Sequence, residues 1–173
     1  MSWTNAVSDN SPSKVKAKWG PAEDDAGSVH DRLAVLGAQL VTRTVALIER
    51  GDIQPAAQDA ALATPAPKIF KEHCRIRWDL PSVHVHNLVR GLSPAPGAWC
   101  LHDGRVLKIY RTSVVPARGK GTPGTVTVDA DGVSVMTADQ RLLILELQQE
   151  GRRRMTVDEF LRGYPLRSGD MLC

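Results

Sequence analysis

The 173-residue sequence predicts a mainly β protein with flanking helices: a small antiparallel barrel preceded by one long helix and a linker. Three observations predict it. Apolar residues recur at helical spacing from Val29 to Leu47, and with period two from Ala98 onward. Between the two, residues 52–67 are rich in Ala, with Pro55, Pro65 and Pro67 restricting the backbone as in a stiff linker.

The elements follow in order. Residues 1–20 are small and polar, broken by Pro12 and Gly20, and are expected to form a disordered tail. Asp24, Asp25 and Ser28 then offer N-cap candidates for a helix over 28–50, and Gly51 suits its C-terminal cap. Val29, Leu33, Leu36, Leu40 and Leu47, widened by Val41, Val45 and Ile48, give that helix a broad apolar face. Such a face calls for a sheet or further helices to cover it.

Past the linker, Ile69, Phe70, Ile76 and Trp78 predict a short extended element. Pro81 and Ser82 open a helix through Val85, Leu88, Val89 and Leu92, stopped by the 93–97 run of Ser, Pro, Ala and Gly. Asp103-Gly104 and Asp131-Gly132 are hairpin turns, and Leu142 to Leu147 reads as a buried strand. Thr156 and Glu159 form a capping box for a short last helix ending at Gly163. Five or six short strands with a helix on either side predict an OB-like barrel, the oligonucleotide-binding type.

Composition narrows the function. Hydrophobic residues make up 42% and charged residues 24%, and no run approaches 18 apolar residues, so a membrane span is excluded. The first twenty residues lack the apolar core of a secretory signal. Cys74, Cys100 and Cys173 are too widely spaced for a disulfide scaffold or a zinc site, which fits a reducing, cytoplasmic setting. Charge is unevenly divided: residues 1–67 net −2, residues 68–173 net +5. An anionic partner is to be sought in the second part.

Individual chemistry is sparse. His84 and His86 would share a face on a strand, but on a helix they diverge by roughly 200°, against a metal site. His30, His73 and His102 suit surface or turn positions. Cys74, between His73 and Arg75, has cationic neighbours but no sequence-evident base, so no catalytic residue is assigned. Basic residues form the stronger pattern. Lys68, Lys71, Arg75 and Arg77 cluster at the linker exit, Arg118 and Lys120 lie in a Gly-rich loop, and Arg152, Arg153 and Arg154 are consecutive. On loops and edges of a small barrel they form a track for nucleic-acid phosphates, with few aromatic residues (Phe70, Trp78, Trp99, Tyr110, Tyr164) to stack bases.

These residues resemble a known family. Lys68-Ile69-Phe70-Lys71-Glu72, Ile76-Arg77-Trp78, the run from Val89-Arg90-Gly91 to Ala98-Trp99, and Leu107-Lys108-Ile109-Tyr110 are similar to the C-terminal domain of methionyl-tRNA formyltransferases. So are Leu145 to Gln148, Gly151-Arg152, Met155, Phe160 to Gly163 and Gly169-Asp170. Asp25 to Ser28, Asp31 to Ala34 and Leu36-Gly37-Ala38 resemble the last helix of that family's catalytic domain. The resemblance spans about residues 22–172.

The resemblance implies three parts. Residues 1–20 are a tail, 21–67 a helix and linker left over from an α/β catalytic domain, and 68–173 the OB-like C-terminal domain. It implies initiator tRNA as partner, with Lys68 and Lys71 matching linker lysines that face the tRNA backbone. Arg75, Arg90, Arg118, Lys120 and Arg152 to Arg154 are the further expected contacts. Family members take their formyl group from formyl-tetrahydrofolate, yet this chain lacks the Asn-x-His pair of that chemistry, and Ser11 to Gly20 stand in place of the segment carrying its Asp. No catalytic or cofactor-binding residue and no metal is therefore expected here. Arg77 stands where the family often has Asp, which predicts loss of a local ion pair. Two alternatives remain: half of a split enzyme whose separate catalytic domain docks on helix 28–50, or a fragment of a sugar-nucleotide formyltransferase.

Overall fold

The structure, a computed structural model, describes residues 24–117, 119 and 121–173. The tail expected at 1–20 lies outside the described residues. The chain divides into two compact units, one holding residues 28–66 and the other residues 24–27 with 67–173.

In the first unit, helix α1 (Ala26–Glu49) continues from its opening turn. Not one of its residues is buried, and Leu33, Val35, Val41, Val45 and Ile48 are exposed. The linker is irregular apart from one 3-10 turn, Ala60–Leu62, capped by the Asp59 carboxylate, which accepts from the Ala61 N–H at 2.9 Å.

The second unit is a mainly antiparallel sheet with flanking helices. Helix α2 (Ser82–Gly91) precedes β1 (Ala98–His102), β2 (Arg105–Val115), β3 (Val126–Asp129), β4 (Gly132–Met136), β5 (Arg141–Gln149), β6 (Met155–Thr156) and α3 (Val157–Leu161). The sheet runs β1-β2-β5-β4-β3, with β6 on β5. Asp103 and Gly104 both take positive φ, 49° and 74°, the geometry a two-residue hairpin between β1 and β2 requires. Inward positions alternate along the strands, so Cys100, Leu107, Ile109, Val133, Val135, Leu142, Ile144 and Leu147 form one core. Val85 and Val89 of α2 and Phe160 of α3 pack into that core.

Among the described residues the outer strands of the sheet do not pair with each other; residues 169–173 join them. Leu101 of β1 and Cys173 exchange both backbone hydrogen bonds, at 2.7 and 3.0 Å. On the other side, the N–H of Val126 donates to Asp170 O and that of Leu172 to Gly124 O. A side chain at Gly124 would put its Cβ 2.5 Å from Leu172 O, so glycine is required where the tail passes. Thus 169–173 close the barrel, leaving neither edge free.

Three expectations change. The element expected around 69–78 is not a ladder strand: Lys71–Cys74 form a 3-10 turn, and one parallel bridge joins Arg75 to Trp99. Cys74, Ile76 and Trp78 are buried while Arg75 and Arg77 are exposed, so the alternation comes from an extended segment laid on the barrel. His102 is neither a surface nor a turn residue. It is buried, with Nδ1 2.8 Å from the Tyr164 hydroxyl and Nε2 3.3 Å from the Asp170 carboxylate. Arg77 keeps an ion pair after all, donating to Asp79 at 2.7 Å and holding that carboxyl below its ordinary range.

Candidate nucleic-acid interface

The outward face of β1, β2 and β5 gathers the cations. Inward residues Cys100, Ile109 and Leu147 are buried, so Trp99, Lys108 and Gln148, paired across the strands, point out. Trp99 sits among positive charges. Lys71 Nζ lies 5.7 Å and the Arg75 guanidinium carbon 5.6 Å from its ring centroid. The indole N–H donates to Lys71 O at 3.0 Å, and Lys108 Nζ donates to Pro96 O at 2.9 Å. Lys68 Nζ lies 5.6 Å from the exposed Phe70 ring. A cation over an aromatic face is attracted by the ring quadrupole, which favours these positions.

A bulge in β2 between Ile109 and Arg111 changes the register. It turns Tyr110 under the same face, where its hydroxyl donates to Gln148 Oε1 at 2.6 Å. The Arg154 guanidinium carbon is 4.6 Å from the Tyr110 centroid. Burial pushes the Tyr110 hydroxyl above its ordinary value, with Arg154 opposing. Arg111 then faces Glu146, and Glu146 also accepts from Arg154 Nε at 2.6 Å.

The expected contacts therefore separate. Lys68, Lys71 and Arg75 come together with Lys108, and none of the four has an ion-pair partner among the described residues. Arg153 is held by Glu159 at 3.0 Å, which lowers that carboxyl, and Arg154 by Glu146. Arg152 is exposed in the same turn, its carbonyl accepting from Gln148 Nε2. Arg90 is spent on the fold: Nε donates to Asn87 Oδ1 and Nη1 to Asp24 O, both within the second unit. Arg118 and Lys120 lie outside the described residues. Sequence reasoning did not place Lys108 and Arg111 on this face, nor Trp99 beside Lys108. The available signal was register, since the turn at Asp103-Gly104 pairs Trp99 with Lys108.

Nucleophilic chemistry finds little here. Cys100 is fully buried, its thiol pushed up to about 12 chiefly by that burial. Cys74 is buried as well, donating to Phe70 O. His84 and His86 leave α2 in different settings, His84 exposed and His86 3.0 Å from the Thr112 hydroxyl.

Comparison with known proteins bears on this face. Residues 68–165 match the family model "Formyl transferase, C-terminal domain". The chain is 40% identical over 150 residues to a methionyl-tRNA formyltransferase of Caldanaerobacter subterraneus, covering 87% of this chain and 48% of that protein. It is 44% identical over 162 residues to the Desulforamulus reducens enzyme, covering 92% and 50% respectively. The chain thus spans about half the length of the curated relatives it matches. Among solved structures, HypX from Aquifex aeolicus shares the fold with a TM-score of 0.64 at 20% identity, covering 90% of this chain and 31% of HypX. With this fold and a family model matched over 68–165, the chain belongs to the formyl transferase C-terminal domain family.

Proposed function

We propose that this chain is the RNA-holding part of a methionyl-tRNA formyltransferase-like protein, binding initiator tRNA through Lys68, Lys71, Arg75 and Lys108 around Trp99. The observation that carries this reading is the set of four cations on one face without carboxylate partners among the described residues, beside Arg153 and Arg154, which do have them. Unpaired cations exchange their counterions for phosphates and contribute salt-dependent affinity. Family membership and the position of Lys68 and Lys71 support the same partner, in the cytoplasm and in translation initiation. Alone, the chain does not transfer formyl groups, since it carries no Asn-x-His pair to act on a formyl donor.

The test is initiator tRNA binding across a salt series. Three or four phosphate contacts give a log–log slope of about −2 to −3.5, and changing Lys71, Arg75 and Lys108 together to Gln flattens it by about 2. Absence of binding at low salt would sink the reading. The exposed apolar face of α1 favours a second reading, in which a separate catalytic half docks on residues 28–50. Adding the amino-terminal half of a relative then restores formyl transfer; no activity in the mixture counts against it.

A further inference from the structure

Beyond the four unpaired cations, the same face continues into a row of a different kind. Arg111, Glu146 and Arg154 meet on the outward side of β2 and β5, one carboxylate between two guanidiniums. Glu146 Oε1 lies 3.5 Å from Arg111 Nη1, and Oε2 accepts from Arg154 at 2.6 Å (Nε) and 2.5 Å (Nη2). One negative charge serves two positive ones, so the row keeps a net charge of +1.

Arg154 does not depend on Glu146 for its place. Its guanidinium stacks on Tyr110, and Tyr110 is fixed from two sides, by its hydrogen bond to Gln148 and by Gly97 beneath its ring. A Cβ at Gly97 would lie 3.1 Å from the ring carbon Cε1, so the ring rests directly on backbone. Arg111 projects from a strand and is largely exposed. Both forks therefore stay presented when the carboxylate leaves. Carboxylate and phosphate offer guanidinium the same pair of acceptor oxygens. Glu146 is 25% exposed, Arg154 37% and Arg111 62%, so the seat opens to solvent on the Arg111 side, and a phosphate that takes the carboxylate's place leaves both guanidiniums paired.

We propose that Glu146 occupies the seat of an RNA phosphate, and that Arg111 and Arg154 form a second phosphate site on this face, masked by that carboxylate. The inference rests on the RNA-binding reading above. Glu146 sets the affinity of the face: it lowers the number of phosphates neutralised and keeps binding weak enough for release.

The experiment compares wild type and Glu146→Gln for initiator tRNA binding across a salt series, with circular dichroism melts to confirm folding. Glu146→Gln is expected to bind about 3- to 30-fold more tightly at low salt, with a slope steeper by about 0.7–1.8, one or two added phosphates. Adding Arg111→Gln and Arg154→Gln returns the slope to that of wild type. If wild type binds and Glu146→Gln leaves the slope unchanged or flatter, the masked site is wrong while the RNA reading stands. If neither protein binds at low salt, both fail. If Glu146→Gln binds and wild type does not, the RNA reading fails for the natural chain and the masking inference fails with it. Glu146→Thr, a good strand former, takes the place of Glu146→Gln should that variant not fold.

Discussion

Helix α1 and strand β5 are both written in apolar residues, and they end in opposite environments. Leu33 and Val41 of α1 are 50% and 63% exposed, while Leu142 and Ile144 of β5 are 0% and 1% exposed. Burying a side chain of this kind contributes about 1.5–3 kcal/mol, a gain β5 collects repeatedly and α1 forgoes. The difference lies in neighbours. β5 has β2 on one side and β4 and β6 on the other, with α2 and α3 packed into the core beneath. Periodicity identifies a face that wants covering; it does not say whether the cover is in the same chain.

The contrast can be broken first where it is largest. Ile144→Ala empties the middle of the core and is expected to cost about 2–5 kcal/mol, read as a lower urea midpoint. A cost within the range of surface changes would mean the barrel core is loosely packed. Next comes a polar tie at the surface of the barrel. Asp139 accepts from the Ser82 N–H at 2.8 Å, capping α2 from a distant turn, and that bond chiefly holds its carboxyl below the ordinary 3.8. A depressed carboxyl contributes stability above its unfolded value and loses it as pH falls through the folded one. Asp139→Ala therefore melts earlier than wild type at pH 7, and the gap closes below about pH 4. A gap that persists in acid would show that the charge is not what matters. Smallest is the effect in α1. Leu33→Ser with Val41→Ser is expected to move barrel unfolding by no more than about 0.5 kcal/mol, since neither residue is buried. A larger loss would mean that α1 is covered in solution.

Local chemistry explains what the sequence revealed. The β1–β2 hairpin was legible because Asp103-Gly104 can adopt two successive positive φ angles, and the capping box because Thr156 and Glu159 answer each other's backbone at 3.4 and 3.2 Å. What remained hidden depends on distant partners. Asp139 capping α2 spans 57 residues, and the buried pair of His102 and Tyr164 spans 62. The interface shows the same division. Lys68, Lys71 and Arg75 lie close in sequence, so their grouping was legible, whereas Lys108 joins them only through strand register. For the consecutive arginines 152–154 the hidden part was their partners, because Glu146 and Glu159, which take two of them, come from another strand and from the next helix.

Closure of the barrel by residues 169–173 has a consequence for how the domain is made. Synthesis runs from the amino end, so β1 to β5 are outside the ribosome well before the segment that seals them. Until Cys173 reaches Leu101, the β3 edge is open and β1 is covered only where residues 75–76 meet Trp99. The last contacts to form link residues 72 positions apart, and such non-local pairing is slow. The newborn domain therefore passes through an interval in which its own β1 and β3 can accept a strand from another molecule, and final folding waits until residues 169–173 have emerged.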